Sequence, residues 1–329
     1  MQEDITLITG ANGEIGQALL QVLDADRILA LDLNPLDPAL AGYYLEFVQG
    51  DILDRDLLEE LGEEFEITRI YHLAAVLSTK AESDPQLAHR VNVEGTMNLL
   101  NFGLAQSEAQ ATSVQFLFPS SIAVYGLPDL ETKSAQGPLK EYTWQNPHTI
   151  YGAGKLYCEL LGQHFSRRGS ALLDFRAIRF PGLISADTLP TGGTTDYGPE
   201  MLHFAAEGRP YRCFVRPDSV LPFMPMPDAV RALQELGTAA SVAQRVYNVT
   251  SFSPSAEQLM RCVEEYFSAA EIAFEPDPKR QEIVDSWPAE VDDTAARVDW
   301  GWSPEYDLHR AFADYLVPAV TERYLKESG

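Results

Sequence analysis

Tyr151 and Lys155 form a Tyr-x-x-x-Lys pair. On a helix, positions i and i+4 share a face. An ammonium beside a phenol favours the phenolate, so the spacing predicts a tyrosine with a lowered pKa. Free tyrosine titrates near ~10, and a useful base at neutral pH needs a drop of about 2–3 units, or ~3–4 kcal/mol. Such a base removes the proton of an alcohol. A hydroxyl holding the same substrate oxygen is expected upstream, and Pro119-Ser120-Ser121 follows the apolar run Val114–Phe118. Ser121 is the first choice for that role and Ser120 a neighbouring contact. Asn92, inside a helical pattern, is expected to support the surroundings of Lys155.

A second group of residues binds rather than reacts. Gly10-Ala11-Asn12-Gly13-Glu14-Ile15-Gly16 follows an apolar strand pattern and opens a helical one. Gly10 permits a tight turn, Gly13 lets backbone approach a pyrophosphate, and Gly16 lets helix pack on sheet. Free N–H groups at the helix start face the phosphates. Asp32 ends the next strand pattern, where a carboxylate accepts hydrogen bonds from an adenosine ribose. It would repel a 2′-phosphate, and Asn34 and Pro35 rather than arginine follow it, so NAD is expected over NADP. Asp51 and Ile52, and then Leu73-Ala74-Ala75, follow the third and fourth strands and are expected along the adenine and ribose side of the crevice.

The elements that must position these residues alternate. Strand patterns cover Ile5–Thr9, Arg27–Asp32, Tyr44–Val48, Arg69–Leu73, Val114–Phe118 and Leu172–Arg179. Helical patterns cover Ile15–Leu23, Leu57–Phe65, Pro85–Ala105 and Ile150–Phe165. Continuous apolar strands separated by helices predict a parallel sheet covered on both faces, the doubly wound α/β Rossmann arrangement. After Arg179 the texture turns to Gly, Pro and Thr, so residues 1–180 read as the nucleotide-binding domain and 181–329 as mainly a smaller C-terminal substrate-binding domain. Segments near 221–252 are candidates to return to the first.

The chain has 329 residues with 24 Lys+Arg against 49 Asp+Glu, a net charge of 24 − 49 = −25. That surface disfavours nucleic acid and anionic membranes as partners. The start, from Met1 through Glu3 and Asp4 to Gly10, runs straight into a strand pattern and reads as carrying no targeting segment. Cys158, Cys213 and Cys262 are few and far apart, so no disulfide framework or metal site is expected, and a reducing cytoplasm fits.

The Gly10 loop, Asp32, Asn92, Ser121, Tyr151 and Lys155 together resemble the extended short-chain dehydrogenase/reductase superfamily, also called the NAD-dependent epimerase/dehydratase superfamily. The second half is more specific. Arg179-Phe180-Pro181-Gly182-Leu183-Ile184, Gly192-Gly193-Thr194-Thr195-Asp196-Tyr197, Leu221 to Asp228, Asp285-Ser286-Trp287-Pro288 and Asp299-Trp300-Gly301-Trp302 resemble the short-chain type of L-threonine 3-dehydrogenases. The resemblance implies a metal-independent oxidoreductase of threonine catabolism. Ser121, Tyr151 and Lys155 would be catalytic, and Pro181 would join the cofactor site. Ser78, Ser120, Gly182, Thr194, Thr195, Asp196 and Trp287 would contact the amino acid, with Trp287 closing over it. It also implies a homodimer through the helices at Pro85–Ala105 and Ile150–Phe165. The stretch from Gly126 to Tyr151 is longer than the family pattern, with extra polar residues from Ser134 to Tyr142. The alternative within the superfamily is a nucleotide-sugar epimerase or dehydratase, with Arg209, Arg212 and Arg216 as candidates for a substrate diphosphate.

Overall fold

A computed structural model describes residues 4–167, 173–190 and 192–327 of the protein; Glu3, and Leu172 at the expected start of the sixth strand, lie outside the described residues. The chain begins with β1 (Ile5–Thr9), α1 (Glu14–Leu20), β2 (Ile28–Asp32), β3 (Glu46–Gln49), α2 (Arg55–Glu64) and β4 (Ile67–His72). Next come α3 (Ser78–Ser83) and α4 (Pro85–Ala88), which runs through a π-helical turn (His89–Glu94) into α5 (Gly95–Gln110). Then follow β5 (Val114–Ser121), α6 (Leu130–Ala135), α7 (Ile150–Phe165), β6 (Leu173–Phe180), β7 (Gly182–Ile184) and α8 (Tyr197–Ala206). The remainder is β8 (Tyr211–Cys213), β9 (Phe223–Pro225), α9 (Met226–Thr238), β10 (Val246–Asn248), α10 (Ala256–Tyr266), β11 (Ile272–Phe274), α11 (Pro278–Ser286), α12 (Thr294–Trp300), α13 (Leu308–Arg310) and α14 (Val317–Glu327).

Seven strands form one sheet in the order β10-β6-β5-β4-β1-β2-β3. β1 pairs in parallel with β2 and β4, β2 with β3, and β4 with β5. All five residues of β2 are buried, which is why its sequence does not alternate. Leu7, Leu31, Ile70, Phe116, Phe118 and Phe175 form the core around the sheet. This is the doubly wound α/β arrangement expected. The strand order reverses between β1 and β4, and ligands of such sheets bind outside the carboxyl ends of the strands at that point.

The chain divides into two compact units. The first comprises residues 1–121, 150–179 and 230–247; the second comprises 122–149, 180–229 and 248–329. Residues 122–149 thus cluster away from the 1–180 block to which the sequence reading assigned them. Their backbone is satisfied within the second unit: Leu127 N–H reaches Ser286 O at 2.8 Å, Leu139 N–H reaches Glu290 O at 3.0 Å, and Asp292 N–H reaches Leu139 O at 2.9 Å. Residues 230–247 belong to the first unit. There Arg176 Nη1 donates to the Leu236 and Ala239 carbonyls, both at 2.6 Å, and Ala177 N–H to Arg245 O at 2.8 Å. The second unit carries two small parallel pairs, β7 with β9 and β8 with β11.

Candidate active site

The glycine loop lies between β1 and α1. Gly10 has φ +70°, a left-handed conformation, and a Cβ there would stand 2.6 Å from Ala74 N, across the sheet's point of reversal. A Cβ on Gly16 would stand 2.4 Å from Gly10 O. Gly13, exposed at the N-cap of α1, would meet only Gly10 O, at 3.1 Å, so the outer side of the loop is open to a ligand. Glu14 is exposed and Ile15 half-buried. Asp32 accepts Asn12 N–H on Oδ2 and Asn34 N–H on Oδ1, both at 2.9 Å, so the expected ribose acceptor also shapes the glycine loop. Leu73 and Ala74 pair with Thr9, at 3.0 Å through Leu73 N–H and 3.4 Å through Ala74 N–H, and Ala75 follows half-buried. Asp51 Oδ1 accepts Leu53 N–H at 2.9 Å, and Ile52 is buried against Gly95.

Asn92 lies in the π-helical turn. Its side chain exchanges hydrogen bonds with the Val76 backbone, 2.7 Å to Oδ1 and 2.9 Å from Nδ2. Its carbonyl accepts Thr96 Oγ1 at 2.6 Å and Cys158 Sγ at 3.1 Å. Because Thr96 donates there, it accepts from His72 Nε2 at 2.8 Å, and His72 Nδ1 accepts from Thr9 Oγ1 at 2.9 Å. Burial pushes His72 down to about 3, so the ring is neutral and ties β1, β4 and α5 together. Asn92 therefore fixes backbone on both sides of the site. Cys158 is buried and pushed up to about 11 by burial, which suits packing rather than nucleophilic attack.

Tyr151, Lys155 and Glu159 succeed one another at four-residue steps along α7, on one face. Lys155 Nζ donates to Pro119 O at 2.6 Å and stands 4.6 Å from the Phe118 ring centroid and 5.6 Å from that of Tyr151. Burial lowers Lys155 to about 8, opposed by the thiol of Cys158 and the carboxylate of Glu159. The Tyr151 phenol is raised, not lowered as the Tyr-x-x-x-Lys spacing suggested. Burial raises it, and the Lys155 ammonium is bonded to a carbonyl of β5 rather than to the phenol. Ser121 ends β5, half-buried. Ser120 differs from expectation: it is 3% exposed and its hydroxyl donates to Glu159 Oε1, so it faces the interior. Glu159 in turn holds Arg179.

Tyr151 is the second residue of its helix, and Glu82 caps that end. Glu82 Oε1 accepts Ile150 N–H at 2.7 Å and Tyr151 N–H at 3.4 Å. An anion there is favoured by the helix dipole. Ser78, buried at the start of α3, lies four residues before Glu82, so one short helix carries both.

In the second unit, Asp196 Oδ2 accepts Gly192 N–H at 2.8 Å and Gly193 N–H at 2.7 Å. The expected substrate acceptor thus spends one oxygen on folding its own loop. Thr194 is buried, Thr195 half-buried, and a Cβ on Gly182 would touch Thr195 Cβ at 3.0 Å and the Phe223 ring at 2.6 Å. Pro181, just before, is buried. Arg280 of α11 donates to Gly193 O at 2.6 Å and covers the Phe214 ring. At the other end of α11, Trp287 is 3% exposed, already enclosed rather than an open flap, and its indole N–H has no hydrogen-bond partner among the described residues. Lys133 and the rest of residues 122–149 brace this end, with Nζ on Val284 O at 2.9 Å. Arg209, Arg212 and Arg216 are paired with Glu207, Glu275 and Asp285. They are committed within the unit, which weighs against a substrate diphosphate there.

Comparison with known proteins decides the family. Residues 6–250 match the model of the NAD dependent epimerase/dehydratase family. The chain belongs to that family. It is 36% identical over 310 residues to the mitochondrial L-threonine 3-dehydrogenase of Bos taurus, across 92% of this chain and 79% of that one. Among solved structures it resembles an L-threonine dehydrogenase from Phytophthora infestans at 33% identity with a TM-score of 0.86, covering 97% of this chain and 100% of the other. A protein described as a monomeric L-threonine 3-dehydrogenase from a metagenome matches at 36% identity with a TM-score of 0.85, covering 96% and 99%. The family's chemistry is that of a nicotinamide cofactor. The protein is accordingly a member of a dehydrogenase branch of the α/β nucleotide-binding enzymes. Among the described residues no cluster of side chains is arranged to hold a metal, and no helix is long and apolar enough to cross a membrane.

Glu82, His72, Glu159, Arg179 and Arg280 bond to these residues or to their neighbours, and sequence reasoning gave none of them a role. Two carried a signal. Glu159 extends the four-residue ladder of Tyr151 and Lys155, and Glu82 stands at the same step from Ser78.

Proposed function

We propose that the protein oxidises L-threonine at its β-hydroxyl with NAD, giving 2-amino-3-oxobutyrate. The observation that carries this is the ladder of Tyr151 and Lys155 on α7 beside the end of β5, in the unit that also holds the open glycine cradle and Asp32. Similarity to proteins named L-threonine 3-dehydrogenase over nine-tenths of the chain supports the substrate.

The residues present fit a dinucleotide. The cradle at Gly10, Gly13 and Gly16 would take the pyrophosphate, with the N–H groups of Glu14 and Ile15 at the helix start facing it, while the Asn12 N–H stays on Asp32 and holds the loop. Asp32 would accept from the adenosine ribose and disfavour a 2′-phosphate, which selects NAD. Asp51, Ile52 and Leu73 to Ala75 would follow the adenine side, and Asn92, Tyr151, Lys155 and Pro181 the nicotinamide side. A bound nicotinamide would supply a hydride acceptor for the threonine β-carbon and a positive ring that would favour a phenolate nearby.

Tyr151 removes the hydroxyl proton. Burial raises the phenol, so taking this proton is uphill for Tyr151 alone and calls for a cation nearby. Ser121 orients the same oxygen and stabilises its developing charge. Lys155 keeps a cation close to the Tyr151 ring. Ser78, Thr194 and Thr195 would donate to the carboxylate, and Asp196 would accept from the ammonium through Oδ1. Gly182 gives Thr195 room.

Reduced cysteines, all buried, fit a cytoplasmic enzyme. A homodimer is proposed because α7 leaves Ile150, Tyr157 and Leu160 exposed; a monomer mass by light scattering would overturn it. The functional test is NADH formation from NAD with L-threonine, beside L-serine, L-allo-threonine, D-threonine and UDP-sugars. Reduction with L-threonine alone is the expected result. Conversion of a UDP-sugar without threonine turnover would discard the substrate. Tyr151→Phe is expected to abolish turnover while leaving NAD binding intact, and retained turnover would remove Tyr151 as base.

A further inference from the structure

Lys155 and Glu159 stand at the spacing where a lysine and a glutamate ordinarily pair along a helix. Lys155 spends its hydrogen bond on Pro119 O instead, 2.6 Å away, with its ammonium over Phe118 and toward the Tyr151 ring. The reason lies on the neighbouring strand. Arg179, in β6, grips Glu159 with two prongs, Nε to Oε1 at 2.8 Å and Nη2 to Oε2 at 2.6 Å. Ser120 adds its hydroxyl to Oε1. Arg179 and Glu159 are each 1% exposed, so the competition takes place away from bulk solvent.

Two cations therefore compete for one dry carboxylate. The guanidinium wins because its planar fork matches both oxygens, whereas an ammonium is a point charge with a flexible stem. The result ties three consecutive residues of β5 to α7: Phe118 under the Lys155 ammonium, Pro119 through its carbonyl, and Ser120 through Glu159. Ser121 is the next residue.

We propose that Arg179 is a positioning residue for the reaction. By occupying Glu159 it denies that carboxylate to Lys155, so the lysine stays directed at Tyr151 and Ser121 stays in register beside it. This rests on the reading of Tyr151 and Lys155 as the base and its cationic neighbour. Without Arg179, Lys155 turns to Glu159, four residues along its own helix, and the phenol loses its cation.

The test compares Arg179→Met, Arg179→Lys and the double variant Arg179→Met/Glu159→Met with the unaltered enzyme. The readouts are the pH profile of threonine-dependent NADH formation, thermal melts, and crystal structures. Arg179→Met is expected to lower kcat by ~10- to 100-fold and to move the limb assigned to Tyr151 up by about one pH unit. The double variant removes the competitor as well, so its limb is expected to return to that of the unaltered enzyme, while loss of the Ser120–Glu159 bond keeps kcat below it. Arg179→Lys keeps the buried charge if Arg179→Met fails to fold. It holds Glu159 by one prong, and an intermediate limb is expected. An unmoved limb in Arg179→Met, or in Arg179→Lys where Arg179→Met does not fold, would overturn the proposal, as would a double variant whose limb does not return. The structures decide independently of substrate: Lys155 Nζ on Glu159 in Arg179→Met (or, failing that, shared with it in Arg179→Lys) supports the inference, and Nζ still on Pro119 O overturns it. Absence of threonine oxidation by the unaltered enzyme would count against the proposed function and leave the structures to judge Arg179.

Discussion

Lys133 is a charge buried where nothing in the chemistry requires one. It lies in α6, 7% exposed, with Nζ on Val284 O at the end of α11. Desolvation lowers it from 10.5 to about 8, with Asp285 and Asp218 opposing and Arg216 assisting. The folded state thus binds the proton less tightly than the unfolded chain. Between the two pKa values the unfolded chain holds more protons, so this group makes stability rise with pH, a gain absent below about 8 and complete above about 10.5. Integrating the linkage, Lys133 contributes ~2 kcal/mol more stability at pH about 9.5 than at pH about 7. Lys155 is also lowered to about 8 and adds a slope of the same sign. The difference between the protein and Lys133→Met isolates the one group. At neutral pH the variant sheds a buried charge worth ~3 kcal/mol but also a charged hydrogen bond worth ~1.5–3 kcal/mol, so the two nearly offset there. Urea unfolding at both pH values is the assay. The expected result is near-equal stability at neutral pH and a variant ~2 kcal/mol weaker at the alkaline one. Parallel stability curves for the two proteins would refute the reasoning.

Three further outcomes follow from the same geometry. Gly16→Ala forces a Cβ to 2.4 Å from Gly10 O, a backbone atom that yields only by moving the loop, and is expected to weaken NAD by ~10- to 100-fold at ~1–3 kcal/mol, read by isothermal titration; an unchanged Kd would contradict it. Glu82→Ala leaves the N–H groups of Ile150 and Tyr151 without their acceptor and is expected to cut kcat by ~10-fold with NAD affinity intact, while Glu82→Gln, which keeps an acceptor oxygen, recovers most of it; equal loss in both would show that hydrogen bonding is not the cause. Asp32→Asn puts an amide N–H₂ against one of two backbone N–H donors, so it is expected to weaken NAD without a matching gain for NADP, because the phosphate loop loosens as well; a clean switch to NADP, measured by titrating both cofactors, would mean that Asp32 has no hold on the loop.

What could be read along the chain was whatever repeats within a few residues. The apolar runs of β1, β2 and β5, the glycines at 10, 13 and 16, and the step from Tyr151 to Lys155 are local patterns, and the sheet and helix that carry them lie where those patterns stand. Ile150–Phe165 and Ile5–Thr9 agree residue for residue, because periodicity and strand burial leave one reading each. The segment Pro85–Ala105 read as one helix, whereas Asp84 caps a short one and a π-helical turn carries Asn92, since a bulge of one residue hardly disturbs the apolar stripe.

Partner choice over long sequence separations was not legible. That Ser120 turns inward to Glu159, that Glu82 caps a helix 68 residues later, and that residues 122–149 bind 284–292 depend on which strands become neighbours. The direction of the Tyr151 shift belongs to the same class. Spacing places an ammonium nearby, but the burial that raises the phenol and the Pro119 carbonyl that holds the ammonium exist only in the folded chain. The sequence by itself determined the α/β architecture, the glycine loop between β1 and α1, and the step that sets Tyr151 and Lys155 on one face of α7, because each is written in local periodicity and residue chemistry. The tertiary structure alone decided which carboxylate each cation holds, because that depends on burial and on contacts between strands far apart in sequence.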